Sequence, residues 1–127
     1  VEPQVAALAA VRASGQEISE IRAAIDRIAP HLDAGDAEGF MDADCEFHRI
    51  LARSARNRPL ADLLNALHER CTRVYYLSIS SAKHDLKILG EHEAIYEAIV
   101  NRDSAAATAA MRRHGESMRA NIRALLK

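Results

Sequence analysis

The stretch GDAEGFMDADCEFHRILARSARNRP, residues 35–59, decides how this chain is read. Gly35 and Asp36 form a stop and a fresh helix N-cap. Asn57 is a second cap, and Pro59 is tolerated in the turn that follows it. Between these signals the apolar residues recur at helical spacing and predict a helix over about residues 37–55. One face of that helix carries Phe40, Phe47 and Leu51, together with Asp44 and His48. A buried ionised carboxylate without partners is heavily penalised. A carboxylate and an imidazole on a phenylalanine stripe therefore need a physical reason.

Working outward, the same boundary signals divide the chain into six helices. The first spans about residues 3–13. Ser14 followed by Glu17 is a capping-box pattern and opens a second helix towards Leu32, with Pro30 as a kink or an end. The fourth runs from Asn57 to about Ile79. Ser80 or Ser81 caps a fifth that ends near Asn101, and Asp103 caps a sixth that reaches the C-terminus. Short connections predict that sequential helices pack antiparallel. The expectation is an all-α fold, a single antiparallel bundle of about six helices, formed by one domain over residues 1–127.

Composition agrees with this. The chain is rich in alanine and leucine, with 4% aromatic residues, 5 glycines and 3 prolines, which disfavours a sheet protein. A formal charge of −1 gives no overall attraction to polyanions, and Arg112, Arg113, Arg119 and Arg123 read as solvated helix positions. Cys45 and Cys71 both fall in helical segments, which suggests reduced thiols and a cytoplasmic setting rather than a disulfide framework. No apolar run has membrane-spanning length, and no signal peptide is visible. A start at Val1 fits a fragment of a longer protein.

The face test extends to the other histidines. On the fifth helix the apolar stripe is Ile88, His92, Ile95 and Ile99; on the sixth it is Ala107, Met111, His114, Met118 and Leu125. His92 and His114 stand ~15 and ~18 Å from the turn near Arg102 at ~1.5 Å per residue, so a hairpin brings them to one level. His48 and Asp44 lie ~14 and ~20 Å from the turn near Asn57 by the same rule. His31 and His84 sit near helix ends, and the direction of His68 is ambiguous. Three imidazoles and one carboxylate, if they meet, suit a divalent ion such as Zn, Ni, Cu, Fe or Mn. They lack the thiolates common in closed structural zinc sites.

At these positions the sequence resembles a known family, the FadR-type C-terminal ligand-binding (FCD) domain of GntR-superfamily transcription regulators. VEPQVAALAA is similar to the family's opening helix, GDAEGFMDADCEFHRILARSARNRPLADLL to its central signature, and EHEAIYEAIVNRDSAAATAAMRRH to its closing pattern. The resemblance is greatest to the VanR-like metal-binding branch. It implies that Asp44, His48, His92 and His114 coordinate a divalent transition metal, with Zn or Ni first and Mn or Fe as alternatives. It further implies an effector-sensing domain, not an enzyme. Such a domain binds a small organic or sugar acid at the metal and forms a homodimer. DNA is then reached only through an N-terminal winged helix-turn-helix that these residues do not include.

Arg70, with Arg73 as second choice, is the expected partner of the effector's carboxylate, because a guanidinium binds it bidentately. Tyr75, Tyr76 and Ser78 are further candidates for the pocket wall. Asn57 matches an asparagine of the family pattern, although helix capping also explains it. Two competing readings are a metalloenzyme using the three-His/one-Asp site and a metal-free structural bundle with hydrogen-bonded core histidines.

Overall fold

The computed structural model describes residues 2–68 and 86–126, and among them it holds helices and no strand. In chain order these are α1 (Glu2–Arg12), α2 (Gly15–Asp33), α3 (Ala37–Ser54), α4 (helical over 58–68), α5 (Leu86–Val100) and α6 (Ser104–Leu126). The expected all-α architecture is the observed one.

Local chemistry sets the boundaries. The Ser14 hydroxyl accepts from the Glu17 N–H (3.1 Å), and the Glu17 carboxylate accepts from the Ser14 N–H (2.9 Å), a complete capping box. Asp36 caps α3 by accepting from the Gly39 N–H (2.9 Å). Asn57 caps α4 through the Leu60 N–H (3.2 Å), and Asp103 caps α6 through the Ala106 N–H (3.0 Å). α2 ends at Gly35, whose φ of 70° allows Asp36 N–H to reach back to the His31 carbonyl (2.9 Å). α5 ends in the same way, but Arg102 takes the left-handed position at φ 56°. Pro30 does not end α2, which continues to Asp33. Pro30 and Asp26 are both exposed, so water can satisfy the carbonyl that loses its helical donor.

The helices pair α2 on α3 and α5 on α6, as short connections require, while α1 lies against α6, α3 and α5. α1 does not pack on α2, contrary to the rule of antiparallel neighbours. The two-residue link between them holds Ser14 in an extended conformation (φ −75°, ψ 163°). The alanine face of α1 (Ala6, Ala9, Ala10) is instead buried in the bundle. Two ion-paired bridges tie the layers at the surface. Arg22 of α2 binds Glu93 of α5 (2.5 and 2.7 Å), and Arg56 binds Glu17 (2.7 Å). The core between them is built from Ile21, Ile25, Ile28, Phe47, Leu51, Ile95 and Ile99, each 2% exposed or less.

Candidate metal centre

Three helices place four donors together. α3 contributes Asp44 and His48, α5 contributes His92, and α6 contributes His114. One donor atom from each lies within 4.8 Å of all the others. Ligands bound at ~2.0–2.2 Å to one ion stand ~3–4 Å apart, so closing this set requires shifts of about an ångström. His92 is fully buried, His48 and His114 are each 5% exposed, and Asp44 is 9% exposed. The expected convergence of the α5–α6 hairpin is found: the His92 and His114 ring centroids are 4.8 Å apart.

Hydrogen bonds fix which nitrogen of each ring faces inward. His92 Nδ1 lies 2.7 Å from the Ile88 carbonyl oxygen, and Nε2 lies 2.7 Å from Asp44 Oδ1. A ring with an acceptor on both sides is one that a cation at Nε2 completes in place of a proton. His114 Nδ1 donates to Glu91 Oε1 (2.9 Å), and the Ser117 hydroxyl holds the other Glu91 oxygen, which leaves Nε2 of His114 as its donor. His48 Nε2 lies 3.4 Å from Asp44 Oδ1. Its Nδ1 is 3.1 Å from Glu2 Oε2 yet has no hydrogen-bond partner of acceptable direction, so that contact is one of charge alone. Phe47 stands edge-on to His48 and His92, with centroids at 5.2 and 4.8 Å. The phenylalanine thus shares its stripe with the polar pair and packs against the rings of His48 and His92.

The charges are coupled. Burial opposes ionisation of Asp44, but the attraction of His48 and hydrogen bonds from His48 and His92 outweigh it and hold its carboxyl well below the usual range. Burial likewise works against a charged His48, yet Glu2 and Asp44 together raise its pKa well above the ordinary imidazole value. His114 goes the other way. Burial lowers its pKa, the Glu91 hydrogen bond opposes this, and the neighbouring His92 and His48 add to the lowering.

A cavity of about 360 Å³ adjoins these groups. Asp44, His48 and His114 line it, with Leu64, Leu67 and His68 of α4, Met111 and Met118 of α6, and Glu2 and Pro3 of α1. Arg112 and Arg119 also line it; both are exposed helix positions, as the sequence reading expected. Asn57 caps α4 and is not among the lining residues. Arg70, Arg73, Cys71, Tyr75, Tyr76, Ser78, Ser80, Ser81 and His84 lie outside the described residues. Sequence reasoning passed over Glu2 and Glu91, and it left His68 undecided. Glu91 carried a weak signal as the polar neighbour of His92, and Glu2 carried none.

The profile of the FCD domain family matches residues 1–117. The chain is 29% identical over 108 residues to the galactonate operon transcriptional repressor of Escherichia coli (strain K12), covering 84% of this chain and 46% of that protein. Among solved structures it is similar to Streptococcus agalactiae GntR, with a TM-score of 0.80 and 26% identity over 94% of this chain and 52% of that one. The chain thus spans about half the length of these relatives. The family and its named members are transcription regulators rather than enzymes. With its helices and its sequence both matching, this chain belongs to the FCD domain family of GntR-type regulators.

Proposed function

We propose that this domain senses a small organic or sugar acid through a divalent metal, as in the VanR-like branch of its family. The observation that carries the reading is the convergence of three imidazoles and one carboxylate from three helices beside a cavity. The donor set fits the group: His92 and His114 have their outer nitrogens held by acceptors, and inward nitrogens suit Zn, Ni, Mn or Fe. Asp44, His48, His92 and His114 would hold the ion, which supplies Lewis-acid attraction for a carboxylate.

About 360 Å³ lies near the lower end of the ~300–1,000 Å³ typical of ligand pockets, which suits a small metabolite. Met111, Met118, Leu64 and Leu67 give the wall an apolar lining, while Arg112 and Arg119 add positive charge. Arg70 and Arg73 remain the sequence-based candidates for a second contact to the acid, with Asn57 as a further one. In the full-length protein, a winged helix-turn-helix on the N-terminal side contacts DNA and this domain forms the homodimer. Effector binding shifts the population between helix packings and so the spacing of the two DNA-binding units.

The test is metal content by elemental mass spectrometry on untagged protein, followed by calorimetric titration with galactonate and related sugar acids. The reading expects about one transition-metal ion per chain, reduced in Asp44→Ala/His48→Ala, and acid binding that chelation abolishes. Absence of metal before and after reconstitution, or acid binding indifferent to chelator, sinks it.

A further inference from the structure

A second set of donors stands on the cavity side of the first. Glu2 of α1, His68 of α4 and His48 of α3 each offer an atom within 4.8 Å of the other two. Glu2 Oε1 lies 2.5 Å from His68 Nε2, and Glu2 Oε2 lies 3.1 Å from His48 Nδ1. An ordinary ion pair accounts for the first contact. In the second, His48 Nδ1 is buried and faces the Glu2 carboxylate as a charge contact without a well-directed hydrogen bond. A buried nitrogen beside a carboxylate and a second imidazole gives a donor set that a divalent cation can occupy in place of the His48 proton. The two donor sets also differ in access. The side chains of Glu2 and His68 are 24% and 19% exposed, whereas His92 is fully buried and Asp44 is 13% exposed.

The geometry points to a second divalent-ion site formed by Glu2, His68 and the Nδ1 of His48, which captures an ion from the cavity and passes it to the buried donors. The His48 ring joins the two sites, presenting Nδ1 to one and Nε2 to the other. A neutral imidazole has one lone-pair nitrogen and one N–H, so the ring serves one ion at a time. When the ion occupies the outer site the ring's proton resides on Nε2. On transfer, the Nε2 proton leaves to solvent and Nδ1 takes one up from solvent, facing Glu2, so the ring stays neutral. Capacity therefore stays at one ion per chain, and the outer site governs how fast the inner one fills and empties. A buried metal centre needs an entry path, and these residues line the cavity that offers it. The transfer step depends on the buried donors taking a metal; binding at the outer site does not.

Co(II) is the probe, used on the whole chain, with folding checked by circular dichroism. In His92→Gln/His114→Gln, a residual weak Co(II) site is expected, and adding His68→Gln is expected to remove it. No residual binding that depends on His68 overturns the outer site. In a chain with its buried donors intact, His68→Gln is expected to slow Co(II) association and dissociation together at least threefold in stopped-flow. The equilibrium constant and the stoichiometry of one should stay unchanged. Rates within threefold of the parent, or a slower association with dissociation unaltered, overturn the capture role. Equal Co(II) binding by the parent and His92→Gln/His114→Gln, lost only with His68→Gln, would leave the outer site standing and remove the buried centre.

Discussion

Replacing Asp44 by alanine separates the energetic role of the carboxylate from its proposed metal role. Its Oδ1 lies 2.7 Å from His92 Nε2 and 3.4 Å from His48 Nε2, and His92 is fully buried. Alanine removes the acceptor that both imidazoles face at the edge of the cavity. Removing one partner of a buried charged pair costs about 3–5 kcal/mol. A domain of this kind has roughly 5–15 kcal/mol of stability in total, so the variant should still fold. With a urea m-value of about 2 kcal/mol/M, the unfolding midpoint in chelator falls by about 2 M. Asp44→Asn keeps an acceptor for one ring and loses only the charge, so its midpoint falls by about half as much. Saturating Zn(II) at a hundred times its dissociation constant adds about 2.7 kcal/mol to the parent, and adds little to Asp44→Ala. The assay is urea denaturation followed by circular dichroism, with chelator and with Zn(II). An Asp44→Ala protein as stable as the parent in chelator, and equally stabilised by Zn(II), would falsify both parts of this reasoning.

Apparent Zn(II) affinity should rise with pH by about tenfold per unit, because the ion displaces a proton that Glu2 and Asp44 hold on His48. Competition titrations at pH 6, 7 and 8 that give one constant contradict this. The metal-free chain shows the opposite trend for the same group. The His48 pKa is raised in the fold, so its stabilisation is complete below the ordinary value of 6.5 and is lost as pH climbs through the raised one. Denaturation in chelator as pH rises should show this loss, and His48→Gln should abolish it. Ser14→Ala should cost about 1 kcal/mol by removing half of the α2 capping box, read as a lower urea midpoint; an unchanged midpoint refutes the cap's contribution. Arg102→Gly should stabilise by about 1 kcal/mol, because glycine relieves the left-handed strain at φ 56° that arginine bears. A loss of stability would show that the Arg102 contact to the Ala10 carbonyl (3.4 Å) matters more than the strain.

By itself the sequence determined the capped helix starts among the described residues and the face on which each donor stands. Capping is a contact among residues three or four apart, and Ser14, Asp36, Asn57 and Asp103 all act where they were expected. The 3.6-residue period likewise places Asp44, His48, His92 and His114 on buried stripes without reference to any other helix. The tertiary structure alone decided how those stripes meet. Helical spacing gives no height or rotation of one helix relative to another; interlocking side chains in the core set both. Core packing brought α3 level with the α5–α6 hairpin, carried α1 away from α2, and set Glu2, 46 residues before His48 in the chain, against its outer nitrogen. His68 could not be oriented from its own helix because it stands at the edge of its stripe. Its direction was decided by Glu2 and His48, which reach it from two other helices.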